Sequence, residues 1–221
     1  MICTRHCVAR DASSSYDNIL WSGGNIIRIG LNRIKDVSLE VPALRDALAK
    51  AEAKLSSVLG GECRITVHHD FPRDLARVVE EIENSKFRQE LQYSLKELVE
   101  RSKRPGFTCI IFKLDGEPFA FDLGYNDVEE GAYFGDSAAT LIERKGVGAV
   151  LTALDALYCW ETGYKSVKMV TEEKDQTGHL LREYWERFGF RVTGADPKIG
   201  VEMRLNLTPE NVRALCDKYI G

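Results

Sequence analysis

The stretch TLIERKGVGAVL at Thr140–Leu151 joins the end of an apolar strand to a charged turn and two glycines that open a helix. Gly146 and Gly148 allow backbone N–H groups to approach a ligand closely, and the start of a helix adds unpaired N–H donors and a positive dipole. Arg144 and Lys145 add formal positive charge. The stretch therefore predicts a pyrophosphate pocket, although two glycines at a helix start also occur for turn geometry alone.

Apolar periodicity on both sides of this stretch predicts an α/β protein with a mixed (α+β) sheet. The N-terminal half of the sheet is expected to be antiparallel, and one parallel βαβ crossover is expected around the glycine stretch. The two-residue turn Asp115-Gly116 predicts a hairpin. The predicted strands are 64–68, 108–114, 118–125, 133–141, 166–171, 190–192 and 200–207, and the predicted helices are 72–83, 91–99, 147–161, 179–188 and 209–219.

The composition of the chain changes near residue 60, which predicts two regions. Residues 1–60 are expected to form an N-terminal extension, and residues 61–221 are expected to form the main domain. The extension contains a possible short strand at 25–31 and one amphipathic helix at 41–59. That helix is expected either to pack on the main domain or to make a homodimer contact.

The balance of charge excludes several classes of protein. Thirty basic and 34 acidic residues among 221 give a formal charge of −4, without the basic excess of nucleic-acid binding proteins. No run reaches the roughly 18 apolar residues of a membrane-spanning helix, and the N-terminus lacks a signal-peptide core. The six cysteines are scattered, and Cys3, His6 and Cys7 have no evident fourth metal ligand. We expect a cytoplasmic protein with reduced thiols, no metal, no nucleic-acid partner and no membrane association.

Two other phosphate-binding motifs are weaker matches to the glycine stretch. A dinucleotide-binding fingerprint requires a third glycine where this chain has Leu151, although Glu172 could imitate the acid that binds the ribose. This keeps an NAD-dependent dehydrogenase as an alternative. A P-loop is excluded because no Gly-Lys-Ser/Thr follows the first glycine.

The run ERKGVGAVLTALDALYCWETGYKSVKMVT at 143–171, followed by LLREYWERFGF at 180–190, resembles the acetyl-coenzyme A binding core of the GNAT N-acetyltransferases. That family shows a (Q/R)xxGxG/A motif, a helix, a strand, and then a helix that ends in a YExxGF-like phrase. Gly146 and Gly148 match the first motif, and the resemblance covers about residues 63–207. It implies a GNAT-like acyl-CoA N-acyltransferase fold, with acetyl-CoA or another acyl-CoA as co-substrate.

The resemblance also implies which residues bind the co-substrate. Backbone N–H groups would meet the pyrophosphate, the pantetheine arm would lie along the strand that ends at Leu141, and a backbone N–H near Leu141 or Ile142 would stabilise the oxyanion. The residues implied are Ala139, Thr140, Leu141, Ile142, Arg144, Lys145, Gly146, Val147, Gly148 and Ala149, with Gly178 before the last core helix.

Three positions depart from the family pattern. Glu143 stands where the family usually has Gln or Arg, and Gly178 stands where Asn is common. Trp185 stands where a tyrosine often protonates the departing thiolate. Tyr184 is the nearest replacement, but it is rotated by about 100° on a helix.

By resemblance, the activity is transfer of an acetyl or acyl group to a primary amine by direct attack in a ternary complex. The acceptor would be a small molecule, a peptide terminus or a protein lysine. The predicted catalytic residues are Asp136 and Glu172 as bases and Tyr184 as acid, and the predicted amine-binding residues are Asp122, Tyr125 and Glu173. Each carboxylate has an ordinary alternative as a solvated or salt-bridged group. The alternative function is a non-catalytic acyl-CoA binding or sensing protein.

Overall fold

Seven strands form one mixed sheet in the order β1-β2-β3-β4-β5-β7-β6, in a computed structural model that describes residues 41–174, 178, 180–197 and 200–221. The strand predicted at 25–31 and the Cys3, His6 and Cys7 trio lie outside the described residues. The strands are β1 Cys63–His68, β2 Thr108–Leu114, β3 Glu117–Asn126, β4 Ala132–Thr140, β5 Ser166–Thr171, β6 Arg191–Asp196 and β7 Gly200–Asn206. The α-helices are α1 Pro42–Leu59, α2 Arg73–Lys86, α3 Leu95–Arg101, α4 Val147–Glu161, α5 Leu181–Glu186 and α6 Pro209–Tyr219.

The pairing of the strands confirms the predicted mixed sheet. β1 to β4 form an antiparallel meander, β4 and β5 are parallel neighbours joined through α4, and β7 inserts antiparallel between β5 and β6. The hairpin between β2 and β3 turns at Asp115 and Gly116, with φ of 50° and 89°. Two positive φ values are the signature of a type I′ turn, whose twist matches that of the strands.

Two layers of helices cover the sheet. Residues from α1, α4, α5 and α6 share one apolar core with one face of the sheet, which we call the α4 face. Residues from α2 and α3 share a second core with the other face, which we call the α2/α3 face. None of the described helices has the length and hydropathy to cross a membrane.

The helix predicted for the N-terminal extension belongs to the core on the α4 face. Leu44, Ala51 and Leu55 of α1 are at most 1% exposed and pack in that core. Lys50 and Lys54 donate hydrogen bonds to main-chain carbonyls at the C-terminal end of the chain, at 2.9 and 2.8 Å. The α1 helix is therefore built into the same core as residues 61–221.

A β-bulge in β4 changes which way its side chains point. Gly135 lies opposite Gly124 and Ser137 lies opposite Leu123, so Asp136 is an extra residue in the strand. Gly124 is required there, because a Cβ would come within 2.3 Å of a main-chain carbonyl of β4. Strand alternation places Asp136 on the same face as Ala138, but the bulge turns Asp136 to the α2/α3 face while Ala138 packs on the α4 face.

Element boundaries differ most from the sequence prediction in two places. The helix expected at 91–99 is a 3₁₀ turn at Gln89–Leu91 and then α3, because Ser94 and Glu97 form a capping box that starts the helix later. The strand expected at 190–192 runs instead from Arg191 to Asp196.

Candidate active site

The centre of the site is an opening between β4 and β5, which we call the fork. The two parallel strands pair only as far as Gly135 and Met169. Beyond these residues β4 continues to Thr140 against β3, and β5 continues to Thr171 against β7. The strands therefore separate toward their carboxyl ends, where open α/β sheets bind ligands.

Main-chain groups of β4 line the fork at alternate residues. The Leu141 N–H donates to the Phe119 carbonyl at 2.8 Å, so Leu141 and Ala139 face β3 with their main-chain groups. By alternation, the N–H and C=O groups of Ala138 and Thr140 point into the fork. Ala138 was not predicted from the sequence, while the main chains of Ala139 and Leu141 belong to the β3–β4 ladder.

The N–H groups predicted to stabilise an oxyanion already have acceptors. Leu141 donates to the Phe119 carbonyl, and Ile142 donates to the Thr140 Oγ at 3.1 Å. The Thr140 hydroxyl in turn donates to the Ile142 carbonyl at 3.0 Å, which closes a tight turn. An oxyanion role for Leu141 or Ile142 would require these bonds to break.

The loop between β4 and α4 has the geometry of an anion-binding turn. Arg144 and Gly146 are both left-handed, with φ of 59° and 81°. Gly146 is the N-cap of α4, and its side-chain position opens onto free space. Among the described residues, no hydrogen-bond acceptor lies against the N–H groups of residues 143–148. The free N–H groups, the helix dipole and the exposed Arg144 and Lys145 can therefore bind a phosphate or pyrophosphate.

Two salt bridges join α2 and the residues after it to the two tips of the fork. Lys86 Nζ lies 2.7 Å from Glu143 Oε1 in the loop after β4. Arg88 forms an ion pair with Glu172, which follows β5. The hydrogen bond from Lys86 lowers the pKa of Glu143. An unpaired acid in this loop would repel a pyrophosphate. Glu143 is turned toward Lys86, which neutralises its charge.

Asp136 is held in a buried ionic network on the α2/α3 face. Its side chain is fully buried, accepts from Arg101 Nε at 2.7 Å and accepts from the Tyr93 hydroxyl at 3.0 Å. The Arg101 guanidinium stacks 3.6 Å from the centre of the Tyr93 ring. Asp136 was predicted as a base; in the structure its carboxylate is ion-paired with Arg101 and connects β4 to α3.

Glu83 of α2 is a second buried acid in the same region, and the sequence did not single it out. It accepts hydrogen bonds from the Ser137 hydroxyl at 2.6 Å and from the Tyr93 N–H at 2.9 Å. Burial raises the pKa of Glu83 to about 7. A carboxyl group with this pKa, bonded to a residue of the bulge at the base of the fork, is suited to exchange a proton near neutral pH.

Asp122 and Asp155 face each other on the α4 face. Both line a small cavity of about 20 Å³ beneath the base of the fork. Burial raises the pKa of both carboxyls, and the charge of Asp155 raises the pKa of Asp122 further. Asp122 was predicted to bind the amine together with Tyr125, but Tyr125 packs on the α2/α3 face under Arg104. The sheet therefore separates these two residues.

Trp185, rather than Tyr184, reaches the fork. Trp185 is 4% exposed and lines the cavity that contains Asp122 and Asp155. Its buried indole Nε1 has no hydrogen-bond partner among the described residues. Tyr184 packs edge-on against Trp185 and Phe188, and burial raises its pKa.

The remaining predicted residues follow β4 or β5 along the chain. Glu173 is exposed after β5, and its carbonyl accepts from the Leu181 N–H at 3.0 Å. Gly178 is exposed with a φ of 83°. Val147 is buried at the first turn of α4, where Ala149 and Val150 donate to the Gly146 carbonyl.

Sequence reasoning missed Asp155, Glu83, Lys86, Arg88 and Arg101. The sequence pattern could have identified Asp155, because it is the one charged residue in the apolar run 146–160. Such a residue inside a buried helix requires a partner or a function. The other four are ordinary charged residues, three on amphipathic helices and Arg88 in the turn after α2, and only the fold brings them near the fork.

No protein-family model and no curated protein matches the chain. Solved structures do match. The chain is similar to an aminoglycoside 6'-N-acetyltransferase from Enterococcus faecium, at 12% identity and a TM-score of 0.56, over 66% of this chain and 97% of that one. A GNAT-family protein from Desulfovibrio desulfuricans matches at 16% identity and a TM-score of 0.54, over 65% and 99%.

A third similar structure is the PaiA N-acetyltransferase from Thermoplasma acidophilum in complex with coenzyme A, at 12% identity and a TM-score of 0.51, over 64% of this chain and 98% of that one. These identities are low, and the similarity lies in the fold. The forked mixed sheet and the glycine loop at the start of α4 thus belong to the fold that the sequence predicted. The chain has the fold of the GNAT N-acetyltransferases.

Proposed function

We propose that the chain is an acyl-CoA-dependent N-acyltransferase that transfers an acetyl or other acyl group to a primary amine by direct attack in a ternary complex. The observation that supports this most is the continuity between the fork and the N–H groups of residues 143–148, which have no acceptor in the part of the chain that the structure describes. Two of the similar structures contain coenzyme A, and others are named as an aminoglycoside 6'-acetyltransferase and a ribosomal-protein-S18-alanine N-acetyltransferase.

The β4–α4 loop would hold the pyrophosphate. Its free N–H groups and the α4 dipole favour an anion, and Arg144 and Lys145 add charge around it. Lys86 neutralises Glu143, so the acid does not oppose binding. Arg144 thus supplies positive charge that is missing at position 143, where this chain has Glu.

The fork would hold the pantetheine arm. The main-chain groups of Ala138 and Thr140 that face the fork can bond the two amides of an extended chain as a neighbouring strand would. The small side chains of Gly135 and Ala138 leave room at the base of the fork, where the thioester would lie. The co-substrate supplies the acyl carbonyl and a thiolate leaving group.

Glu83 is the best-placed base among the described carboxyls. Asp136 is ion-paired with Arg101, and Glu172 is ion-paired with Arg88, so both carboxylates are already engaged by a cationic side chain. Glu83 is uncharged for part of the time near pH 7 and contacts the bulge through the Ser137 hydroxyl. We assign Glu83 to accept the ammonium proton of the acceptor through Ser137.

The experiment measures acetyl transfer from acetyl-CoA to a panel of primary amines by mass spectrometry, with Gly148→Asp as the test variant. An aspartate in the first turn of α4 suits the helix dipole but repels a pyrophosphate. Ala43→Asp makes the same change at the matching position of α1, far from the fork. We expect Gly148→Asp to raise the KM for acetyl-CoA at least tenfold and Ala43→Asp to leave it unchanged.

Three outcomes are informative. Turnover by the wild type with an amine, lost selectively in Gly148→Asp, supports the proposal. Tight CoA binding without turnover on any amine overturns it in favour of an acyl-CoA binding or sensing protein. Equal loss in both variants shows that the β4–α4 loop does not bind the pyrophosphate.

A further inference from the structure

The cavity beneath the fork contains an unusual set of polar groups. It is lined on the sheet side by Gly135, Ala138 and Asp122, and on the helix side by Asp155 and Trp185. A volume of about 20 Å³ has room for one water molecule. Val167 and Met169 of β5 and Thr152 of α4, whose hydroxyl donates to the Gly148 carbonyl at 2.8 Å, complete the lining.

The two carboxyls have no positive partner. Among the described residues, no Lys, Arg or His forms an ion pair with Asp122 or Asp155. Asp155 accepts only a weak bond from the Cys159 thiol at 3.8 Å. Two carboxylates cannot both stay ionised at close range in a buried site, so the pair retains a proton.

The other titratable groups near the pair are neutral. Cys109 of β2, Tyr133 of β4 and Cys159 of α4 surround it, and burial raises the pKa of each. None of them supplies a compensating positive charge. The proton on the carboxyl pair therefore has no competing partner in the described structure.

The Trp185 indole N–H is a second donor at the same place. Trp185 is 4% exposed, lines this cavity and leaves its Nε1 without an acceptor. A buried N–H without a partner destabilises the fold, and this is tolerated where a ligand completes the bond. An acceptor atom is therefore expected here during function.

The cavity lies where the two parallel strands part. Gly135 and Met169 are the last residues that β4 and β5 pair, and both line it. A thioester at the base of the fork would place its sulfur over the cavity. This inference rests on the proposed function.

We propose that Asp122 and Asp155 share one proton, which protonates the coenzyme A thiolate across the cavity, while the Trp185 N–H donates a hydrogen bond to the sulfur. The acyl C–S bond breaks with its electron pair on sulfur, and the S–H bond forms with the proton of the carboxyl pair. The pair, left doubly ionised, takes a proton from water once the thiol departs. The ammonium group of the acceptor gives its first proton to Glu83, and the second proton, lost from nitrogen as the amide forms, passes to water and replaces the one that the carboxyl pair gave to sulfur.

Infrared difference spectroscopy on the full chain tests this without an acceptor. At pH 7 the wild type should show the C=O band of a protonated carboxyl that shifts in Asp122→Asn and in Asp155→Asn and disappears when both substitutions are combined. A similar band from Glu83 is identified with Glu83→Gln. Free CoA should shift the Asp122–Asp155 band, and desulfo-CoA, which lacks the sulfur, should not.

The outcomes separate this inference from the proposed function. Failure of CoA to bind overturns both. Binding of CoA without the band, or with the same shift from desulfo-CoA, overturns the carboxyl-pair proposal alone.

Steady-state kinetics of acetyl transfer give a second test once an amine acceptor is known. Asp155→Asn should lower kcat about 100-fold, as expected for loss of a general acid, and leave the KM for acetyl-CoA unchanged. A kcat within twofold of wild type would overturn the proposal.

Discussion

The two faces of the sheet bury acidic side chains in opposite ways. On the α2/α3 face, Asp136 is bonded to Arg101 and Tyr93, and the network joins α3 to the bulge of β4. On the α4 face, Asp122 and Asp155 line one cavity, and neither has an ion-pair partner among the described residues. A buried charge destabilises a fold unless it is paired, as Asp136 is. Two acids that lie together without a cationic partner at the base of an opening are destabilising and indicate a function.

Removing the partner of Asp136 should have the largest effect. Arg101→Met keeps the apolar stem of the side chain but leaves a buried carboxylate unpaired, which costs about 3–5 kcal/mol of unfolding free energy. Urea denaturation measures the loss. Arg64→Met is the control, because Arg64 forms exposed salt bridges worth less than about 1 kcal/mol. Equal losses in the two variants would show that the Asp136 network does not stabilise the fold.

Glu83 should make the stability of the protein depend on pH. Its pKa rises from 4.5 in the unfolded chain to about 7 in the fold, so the native state binds the proton more tightly. The stabilisation is complete below pH 4.5 and is lost as the pH rises through 7, by about 3 kcal/mol at 1.36 kcal/mol per pKa unit. Glu83→Gln should flatten this decline in urea denaturation between pH 5 and 8. A parallel decline in the variant would contradict the assignment.

The same Asp-to-Asn change should have opposite signs on the two faces. Asp155→Asn relieves a carboxyl pair and should stabilise the protein by about 1–2 kcal/mol at pH 8, where the pair is most ionised. Asp136→Asn should destabilise it, because Arg101 loses its partner. Thermal unfolding of both variants at pH 8 measures the difference. Destabilisation by both would show that Asp155 is structurally paired like Asp136.

The smallest effect is expected at the tip of the fork. Glu143→Gln removes an exposed charge beside the β4–α4 loop and frees Lys86, which should strengthen CoA binding less than tenfold. Isothermal titration in low and high salt measures the change, which should shrink as salt rises. Glu90→Gln is a control, because Glu90 pairs with Arg88 away from this loop. Weaker CoA binding by Glu143→Gln would mean that Glu143 orders the loop.

The sequence predicted the elements around the fork well, because the glycines and the apolar periodicity act locally. Gly146 predicts the start of α4, and Asp115-Gly116 predicts the hairpin. The direction of Asp136 could not be predicted, since a one-residue bulge reverses strand alternation and leaves no pattern of its own in β4. The pairing of Asp122 with Asp155 depends on how α4 packs across the sheet, which is a tertiary contact between residues 33 positions apart.

In our proposal, the fork and the β4–α4 loop together bind one acyl-CoA molecule. The most direct measurement is thermal unfolding of the wild type with acetyl-CoA, CoA, NAD and ATP. A ligand at 100 times its Kd stabilises the fold by about 2.7 kcal/mol, which corresponds to roughly 2–4 °C per kcal/mol at this size. We expect a rise of several degrees with acetyl-CoA and CoA, and little with NAD or ATP. No rise with acetyl-CoA, or a larger rise with NAD, would contradict the account.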